Sequence, residues 1–291
     1  MGIGKHAARA SWRGEAMVKN GSKARHKLAI GLCLVLAACG TSYEMPVTGA
    51  DDEAAARQAL AQGETAAGPT LSPAAAMATF RRATARTEPA AEAFCRQRID
   101  PSRRATCDVE IRIDPRDSDQ PNAYQTYEDG RPVIAFNKAF INDIRNEDEV
   151  AFVIGHEMGH HMAAHIDKRQ GQAVAGALIV GALAGIAGNA IDPDMSDQAM
   201  RRTIGAGMAV GALGGSRAYS QTYELEADTI GVYIALAAGY DPERGARIFA
   251  RGAAARNPDG SLNFLATHPP SARRLAQVSA TTTAARAGRT N

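Results

Sequence analysis

The residues best suited to chemistry form the pentapeptide His156-Glu157-Met158-Gly159-His160. Histidines four positions apart stand above one another on a helix, so both imidazoles could bind one metal ion. Glu157 lies about 100° around such a helix from His156, where it could accept a proton from water that the ion polarises. The pentapeptide also occurs by chance on plain surface helices, but here it falls within an apolar helical pattern. It predicts a hydrolytic metal centre with His156 and His160 as ligands and Glu157 as the general base.

A catalytic metal centre needs a third protein ligand and one open position. The sequence Tyr223-Glu224-Leu225-Glu226-Ala227-Asp228 is the best source of that ligand. Glu224 and Asp228 share a helix face, so Glu224 could bind the ion while Asp228 accepts a hydrogen bond from a ligand histidine. Glu226 points roughly the other way. Spacing alone leaves an ordinary exposed acidic turn as an open alternative.

Two further histidines, His161 and His165, are also four residues apart. They lie on a face next to that of His156 and His160, and they cannot join the same ion without distorting the helix. A second metal site is conceivable, but a solvated polar face is the favoured interpretation.

The elements that carry these residues are mainly helical. Asn146 and the acids that follow it predict the start of a helix that runs to about Arg169. Alternating apolar residues predict a strand over 107–114, and Asp129-Gly130 predicts a hairpin between strands at 124–128 and 132–136. The expected fold class is α+β, mainly helical, with a small antiparallel sheet.

Residues 73–98 are predicted to be helical but broken at Pro89, and a further helix is predicted from Ser220 to Ala238. The runs 172–191 and 204–215 are almost wholly apolar and rich in glycine and alanine. A buried helical hairpin is favoured over membrane insertion, because these small residues allow close packing and give weak hydrophobicity; shallow membrane contact is left open.

The first 39 residues resemble a bacterial lipoprotein signal peptide. A basic stretch precedes the short apolar run 28–38, which ends in Ala37-Ala38-Cys39. Cys39 is the predicted lipidation site, and the predicted location is the bacterial cell envelope, lipid-anchored at the outer membrane and facing the periplasm. The alternative is an ordinary secretory signal.

Four segments are expected along the chain. They are the signal peptide at 1–39, a tether and N-terminal helical segment at 40–88, a domain at 89–278 that carries the predicted hydrolytic metal centre, and a flexible tail at 279–291. Of the four cysteines, Cys33 falls in the signal peptide, so Cys95 and Cys107 remain as a possible disulfide in an oxidising compartment. The alternative is two free buried thiols.

Composition sets broad limits. A hydrophobic fraction of 45% is sufficient for one sizeable core, and the 5% of aromatic residues predicts packing by small and aliphatic side chains. The net charge of +2 carries no basic excess, so no nucleic-acid partner is expected.

Several stretches together resemble one family of zinc metallopeptidases, which contains the CAAX prenyl endopeptidases, the HtpX-type membrane proteases and the periplasmic BepA-type proteases. The resemblance covers roughly residues 90–278. The matching stretches are Phe152 to His161, Glu224 to Gly231, Ala238 to Pro242, Thr267 to Pro270, and Asn122-Ala123. Unlike the integral-membrane members, the chain has no unambiguous spanning helices, and it lacks the repeat array that BepA-type proteins carry after this domain.

The resemblance implies a zincin-like (gluzincin) fold, one Zn²⁺ per chain, and Glu224 rather than Glu226 as the third ligand. It implies an edge strand at 132–136 that aligns an extended substrate above the HExxH helix. By the same resemblance, His268 would occupy the open metal position on a plug and hold the enzyme latent. Arg274 would stabilise developing oxyanion charge or anchor the plug.

The expected activity is therefore zinc-dependent endopeptidase cleavage of unfolded or misassembled envelope proteins, with a membrane partner only through the lipid anchor. Two alternatives stay open. One is a chaperone-like assembly factor with a closed, latent zinc site, and the other is a membrane-inserted helical protein built on residues 172–215.

Overall fold

The computed structural model describes residues 41–62, 68–116, 119–217, 220–251 and 267–289. These described residues belong to one compact unit. The predicted mainly helical α+β class is confirmed. The helices are α1 (Ala50–Gln62), α2 (Pro73–Arg98), α3 (Lys138–Asp143), α4 (Glu147–Met162), α5 (His165–Ile191), α6 (Asp197–Arg217), α7 (Ser220–Ala237), α8 (Pro242–Gly245) and α9 (Ala272–Arg286). The strands are β1 (Glu110–Ile113), β2 (Ala123–Glu128) and β3 (Arg131–Phe136), and two 3-10 segments cover Pro101–Cys107 and Ala246–Ala250.

The described strands form one mixed sheet in the order β1-β3-β2. The predicted hairpin is present: β2 and β3 are antiparallel, and Asp129 and Gly130 both take positive φ, as a tight two-residue turn requires. The small sheet that was predicted to be antiparallel is mixed, because β1 pairs with β3 in parallel. The prediction that 132–136 is an edge strand is also wrong. Its continuous apolar run is buried on both faces, as in a central strand.

Helix α4 carries the HExxH pentapeptide and is the centre of the core. Asn146 caps it by accepting a hydrogen bond from the Glu149 amide. The helix ends earlier than predicted, at Met162, because Ala164 adopts a left-handed conformation with φ of 53°. This bend separates α4 from α5 and places His165, the first residue of α5, against His160.

Glycines bring α4 and α7 into direct backbone contact. A Cβ at Gly155 would lie 2.9 Å from the Cα of Gly231, and one at Gly159 would lie 2.9 Å from the Cα of Ala227. Larger residues would separate the two helices, so these small residues determine how closely the two halves of the site approach each other.

Helix α2 is continuous through Pro89, contrary to the predicted break. Proline removes one backbone hydrogen bond, but this site is exposed, and the opposite face of the helix is buried through Ala83, Thr87 and Ala91. Ala76 and Phe80 also belong to the main core, so the predicted boundary at 88/89 cuts a core helix.

The tether and tail predictions need correction as well. Within the segment 40–88, residues 40–72 are predicted from their composition to be the tether, but they include helix α1, and Tyr43 packs against the core. Helix α9 extends through most of the predicted flexible tail, with Thr281 and Thr282 fully buried. Thr282 satisfies its hydroxyl by donating to the Val278 carbonyl, so a Ser/Thr-rich sequence remains helical here.

Helices α5 and α6 pack against each other as a hairpin, as predicted, but the hairpin is not buried. Of the described residues, α5 alone is long and apolar enough to cross a membrane, and only 11% of its apolar window is buried. Six of the exposed apolar side chains are Val174, Leu178, Leu183, Ile186, Val210 and Leu213.

Cys95 and Cys107 form the predicted disulfide, which joins the end of α2 to the segment before β1, with a Cα–Cα distance of 5.5 Å. Both cysteines are fully buried. Cys39 and the rest of the predicted signal peptide lie outside the described residues.

Candidate metal centre

Four buried side chains point their donor atoms at one another between α4, α7 and the start of α9. They are His156, His160, Glu224 and His268, and one donor atom from each lies within 4.8 Å of all the others. The first two come from α4 and the third from α7. His268 lies in the segment just before α9.

The spacing of these atoms fits a tetrahedral metal ion. Nε2 of His156 lies 3.1 Å from Nε2 of His160 and 3.4 Å from a carboxylate oxygen of Glu224, and His160 lies 3.5 Å from the other oxygen. Ligand bonds of about 2.0–2.1 Å in a tetrahedron separate donor atoms by about 3.3–3.4 Å. Imidazole and carboxylate donors in this number are the set that zinc prefers.

Asp228 and Arg274 hold His156 from behind. Asp228 Oδ1 lies 2.9 Å from Nδ1 of His156, so the ring donates from Nδ1 and directs Nε2 toward the cluster. Arg274 donates to Asp228 through Nε and Nη2 at 2.7 and 2.6 Å. Burial opposes ionisation of Asp228, but Arg274 and His156 hold its pKa below the usual value.

Glu157 faces the same cavity from the adjacent position on α4. It is completely buried, and neither carboxylate oxygen receives a hydrogen bond from the described part of the chain. Its Oε1 lies 3.3 Å from Nε2 of His268. A buried carboxylate with unfilled acceptor positions beside a metal-donor cluster is arranged to accept a proton.

His268 closes the cluster. Its Nδ1 lies 3.1 Å from Nε2 of His156 and 2.8 Å from Oε2 of Glu224. Arg274 donates to the His268 carbonyl at 3.0 Å. Of the two roles considered for Arg274, these contacts match that of an anchor for the His268 segment.

His165 and Glu226 form a second support that spacing did not indicate. His165 is fully buried, and its Nδ1 lies 2.7 Å from Nδ1 of His160. Its Nε2 lies 2.9 Å from Oε2 of Glu226. The bend at Ala164 makes this contact possible, so the prediction of a solvated face at His161 and His165 is wrong. A histidine five residues after the pentapeptide was the available signal.

Glu226 also binds the segment just before α1, which contains Ser42 and Tyr43. Its Oε1 accepts hydrogen bonds from the backbone amides of Ser42 and Tyr43, the latter at 2.8 Å. Lys168 reaches the Ser42 hydroxyl at 2.9 Å. The segment just before α1 is therefore tied to the residues behind His160.

His161 connects α4 to the sheet. Its ring nitrogen Nε2 lies 3.2 Å from the carbonyl oxygen of Val133 in β3, to which it donates. Burial lowers its pKa to about 4, with partial opposition from that hydrogen bond. The ring is neutral at physiological pH and has a structural contact rather than a place in the metal cluster.

Electrostatics prepare the cluster for a cation. Burial opposes ionisation of Glu224, but His268 and Arg274 hold its pKa well below the usual value. Burial lowers the pKa of His160, which stays neutral. Burial also disfavours charge on His156, yet hydrogen bonds to Asp228 and Glu224 raise its pKa to about 9. A metal ion must displace that proton, so metal binding and proton release are coupled.

Comparison with known proteins places the cluster within a peptidase family. Residues 108–282 match the family model for peptidase family M48, and this stretch contains every residue of the cluster. The chain is 28% identical over 134 residues to the mitochondrial metalloendopeptidase OMA1 of Arabidopsis thaliana. That match covers 46% of this chain and 24% of the relative, so the chain spans only about a quarter of that protein.

No solved structure matches the chain. The family match nevertheless covers more than half of the residues of this chain. It includes α4 and α7, the helices that carry His156, His160 and Glu224. The chain therefore belongs to peptidase family M48, a family of metallopeptidases, and the buried group of His156, His160, Glu224 and His268 is its candidate metal site.

Proposed function

We propose that the protein is a zinc-dependent endopeptidase that cleaves unfolded or misassembled proteins of the bacterial cell envelope. The observation that carries the proposal is the buried donor cluster beside Glu157, whose carboxylate has unfilled acceptor positions. A purely structural metal site would need no such base.

A bound zinc ion would polarise the scissile carbonyl and make water a stronger acid. The chain's own residues then handle the proton. Glu157 accepts it from the attacking water and later donates it to the leaving amine. Asp228 holds the His156 ring in the orientation that directs Nε2 inward, and Glu224 balances positive charge.

His268 accounts for latency in this proposal. Its Nδ1 lies among the other donors, where a substrate carbonyl or water would need to bind. Activation therefore requires the His268 segment to move away from α4. The same closed arrangement is the specific observation that supports the alternative function, a chaperone-like assembly factor whose zinc site never opens.

Substrate alignment would use a sheet edge. Because β3 is central, β2 takes the place proposed from sequence for the edge strand. Strand β2 begins at Ala123, directly after Asn122, and an extended peptide could pair along its outer edge. Recognition through backbone hydrogen bonds would favour unfolded chains over compact ones.

The proposed location is the outer membrane, facing the periplasm, with lipid on Cys39. Its support is the sequence before Cys39 and the disulfide between Cys95 and Cys107, which suits an oxidising compartment.

The test compares three forms of the full chain on an unfolded, fluorescently labelled protein with zinc present: wild type, Glu157→Gln and His268→Ala. We expect Glu157→Gln to lose at least about 100-fold in rate, because general-base catalysis is worth about 10²–10⁴-fold. We expect His268→Ala to cleave faster than wild type.

Equal cleavage by wild type and Glu157→Gln would contradict the assigned base. Absence of cleavage by all three forms, with zinc bound stoichiometrically, would favour the assembly factor with a closed site. Activity that survives removal of zinc by a chelator would contradict a metal-dependent mechanism.

A further inference from the structure

The hairpin of α5 and α6 carries almost all of the exposed large apolar side chains in the described part of the chain; outside it, Val47 is exposed. On α5, Leu178, Leu183 and Ile186 are 62%, 59% and 68% exposed. A folded protein in water normally buries such residues, so this concentration marks a surface that contacts something apolar.

The exposed apolar side chains surround the hairpin and do not form a single stripe. At about 100° per residue, the positions from Val174 to Leu183 cover about half of the circumference of α5. On α6, Met208, Val210 and Leu213 cover the outward side in the same way. A protein partner would cover one side of such a hairpin, whereas a lipid bilayer surrounds it.

The contact between the two helices is made by small residues. Gly181, Gly188, Gly207 and Gly211 are the buried glycines along it. A Cβ at Gly207 would lie 2.6 Å from the Cβ of Ala184 and 2.9 Å from the Val180 carbonyl oxygen. Helices that associate within lipid typically have small residues in the contact between them and large apolar residues on their outer surfaces.

Charges occur only at the two ends of the hairpin. Residues 170–191 and 203–216 contain no Asp, Glu, Lys or Arg. At 1.5 Å per residue these stretches measure about 33 and 21 Å, against about 30 Å for the hydrocarbon core of a bilayer. Lys168 and Arg169 lie at the base, and the turn at the tip carries charges between Asp192 and Arg202.

We infer that the α5–α6 hairpin inserts into a lipid bilayer and holds the metal centre at the membrane surface. The base of the hairpin is part of the site: Gln172 of α5 donates to the Tyr223 hydroxyl of α7, and the next residue is the ligand Glu224. Insertion would therefore fix the distance between the cleavage site and the lipid. The inference depends on the exposed apolar surface and not on the proposed protease activity.

The segment just before α1, which contains Ser42 and Tyr43, contacts the same end of the hairpin, where Lys168 lies. Ser42, which accepts from Lys168 at the base, follows the proposed lipidation residue Cys39 by three positions. A lipid on Cys39 would therefore be attached only three residues along the chain from a residue that contacts the base of the hairpin. This second argument rests on the proposed lipidation, and the first does not.

The test uses tryptophan fluorescence in the full chain. Trp12 is the only tryptophan and is replaced by Phe. One variant then carries Leu183→Trp, and the matched control carries Val47→Trp, which is exposed, lies outside the hairpin and follows Cys39 by eight positions in sequence. Each is reconstituted into phosphatidylglycerol–phosphatidylcholine vesicles with bromine on the acyl chains.

We expect bromine to quench Leu183→Trp severalfold more than Val47→Trp, with a blue-shifted emission for the hairpin position. Equal quenching of the two positions would overturn the inference. So would an unquenched Leu183→Trp in a protein that sediments as a dimer, because a second copy would then cover the apolar surface. Catalytic activity is not measured, so failure here is separate from failure of the proposed function.

Discussion

At the scale of single residues, each candidate ligand from α4 contacts a buried partner on the side away from the cluster. His156 donates to Asp228, and His160 lies against His165, which in turn contacts Glu226. Such partners fix the ring orientation and the tautomer of a metal-binding histidine. The donor atoms of the cluster are therefore oriented in the absence of a metal ion. We expect the metal affinity of the cluster to depend on Asp228, His165 and Glu226 as well as on the ligands.

Glu226→Gln tests the support behind His160. Glu226 uses Oε2 toward His165 and Oε1 toward the amides of Ser42 and Tyr43, and the single carbonyl oxygen of glutamine cannot serve both sides. We expect zinc affinity to fall about 10-fold or more, as for other outer partners of metal ligands. Competition with a chromophoric chelator measures it.

Asp228→Asn serves as the positive control for that measurement, with a similar or larger loss of affinity. Asp114→Asn is the negative control, because Asp114 is a buried carboxylate paired with Arg116 and lies outside the metal cluster. If Glu226→Gln binds zinc as tightly as wild type while Asp228→Asn does not, the second support has no effect on the metal.

At the scale of elements, the close approach of α4 and α7 assembles the site. Gly155 and Gly159 face Gly231 and Ala227 at distances that leave no space for a further methyl group. The bend at Ala164 then sends α5 away from the core, and the α5–α6 hairpin returns the chain to α7. The two ligand-bearing helices are therefore neighbours in space although the hairpin separates them in sequence.

Gly159→Ala is expected to separate these helices. The added Cβ would lie 2.9 Å from the Cα and the carbonyl oxygen of Ala227, both backbone atoms that cannot move independently. Overpacking of this kind costs about 1–3 kcal/mol of unfolding free energy. We expect that loss in urea unfolding, together with weaker zinc binding, because Glu224 moves with α7.

Gly171→Ala is the matched control. Gly171 lies on a helix with no atom within 4 Å of the added Cβ. Alanine there should leave stability unchanged or raise it by about 0.5–1 kcal/mol. A Gly159→Ala protein as stable as the Gly171→Ala protein would show that the two helices can separate without cost.

At the scale of the whole molecule, a buried carboxylate joins the start of α4 to the region that follows α8. Glu149 accepts from Arg251 at 3.0 Å and from the Arg145 amide at 2.9 Å, yet it is completely buried. Burial raises its pKa from 4.5 to about 7, against the opposing effect of Arg251. The fold thus keeps an acid that prefers its proton near neutral pH.

Stability should therefore decrease with rising pH through this group. Between pH 4.5 and about 7 the folded protein binds more protons at Glu149 than the unfolded chain does. The unfolding free energy then falls as pH rises, by up to about 1.4 kcal/mol per pH unit. Urea unfolding at pH 5 and pH 7 measures this, and Glu149→Gln should show a smaller decrease than wild type. Equal decreases in the two proteins would contradict the assignment.

The sequence by itself determined the features that depend on local spacing. Helical geometry places His156 and His160 on one face and Glu224 and Asp228 on another, whatever surrounds them. The Asn146 cap and the Asp129-Gly130 turn are equally local, because each depends on the conformational preference of a few adjacent residues. These features predicted His156 and His160 as ligands, Glu157 as the base and most of the helices, whereas the choice of Glu224 over Glu226 came from the family resemblance.

Only the tertiary structure decided which distant residues meet. The central position of β3 depends on its parallel pairing with β1, which no local pattern specifies. The contact of His165 with His160 and Glu226 depends on the bend at Ala164 and on the packing of α4 against α7. Burial has the same origin: an apolar helix can lie in a core or outside it, and packing places the α5–α6 hairpin outside.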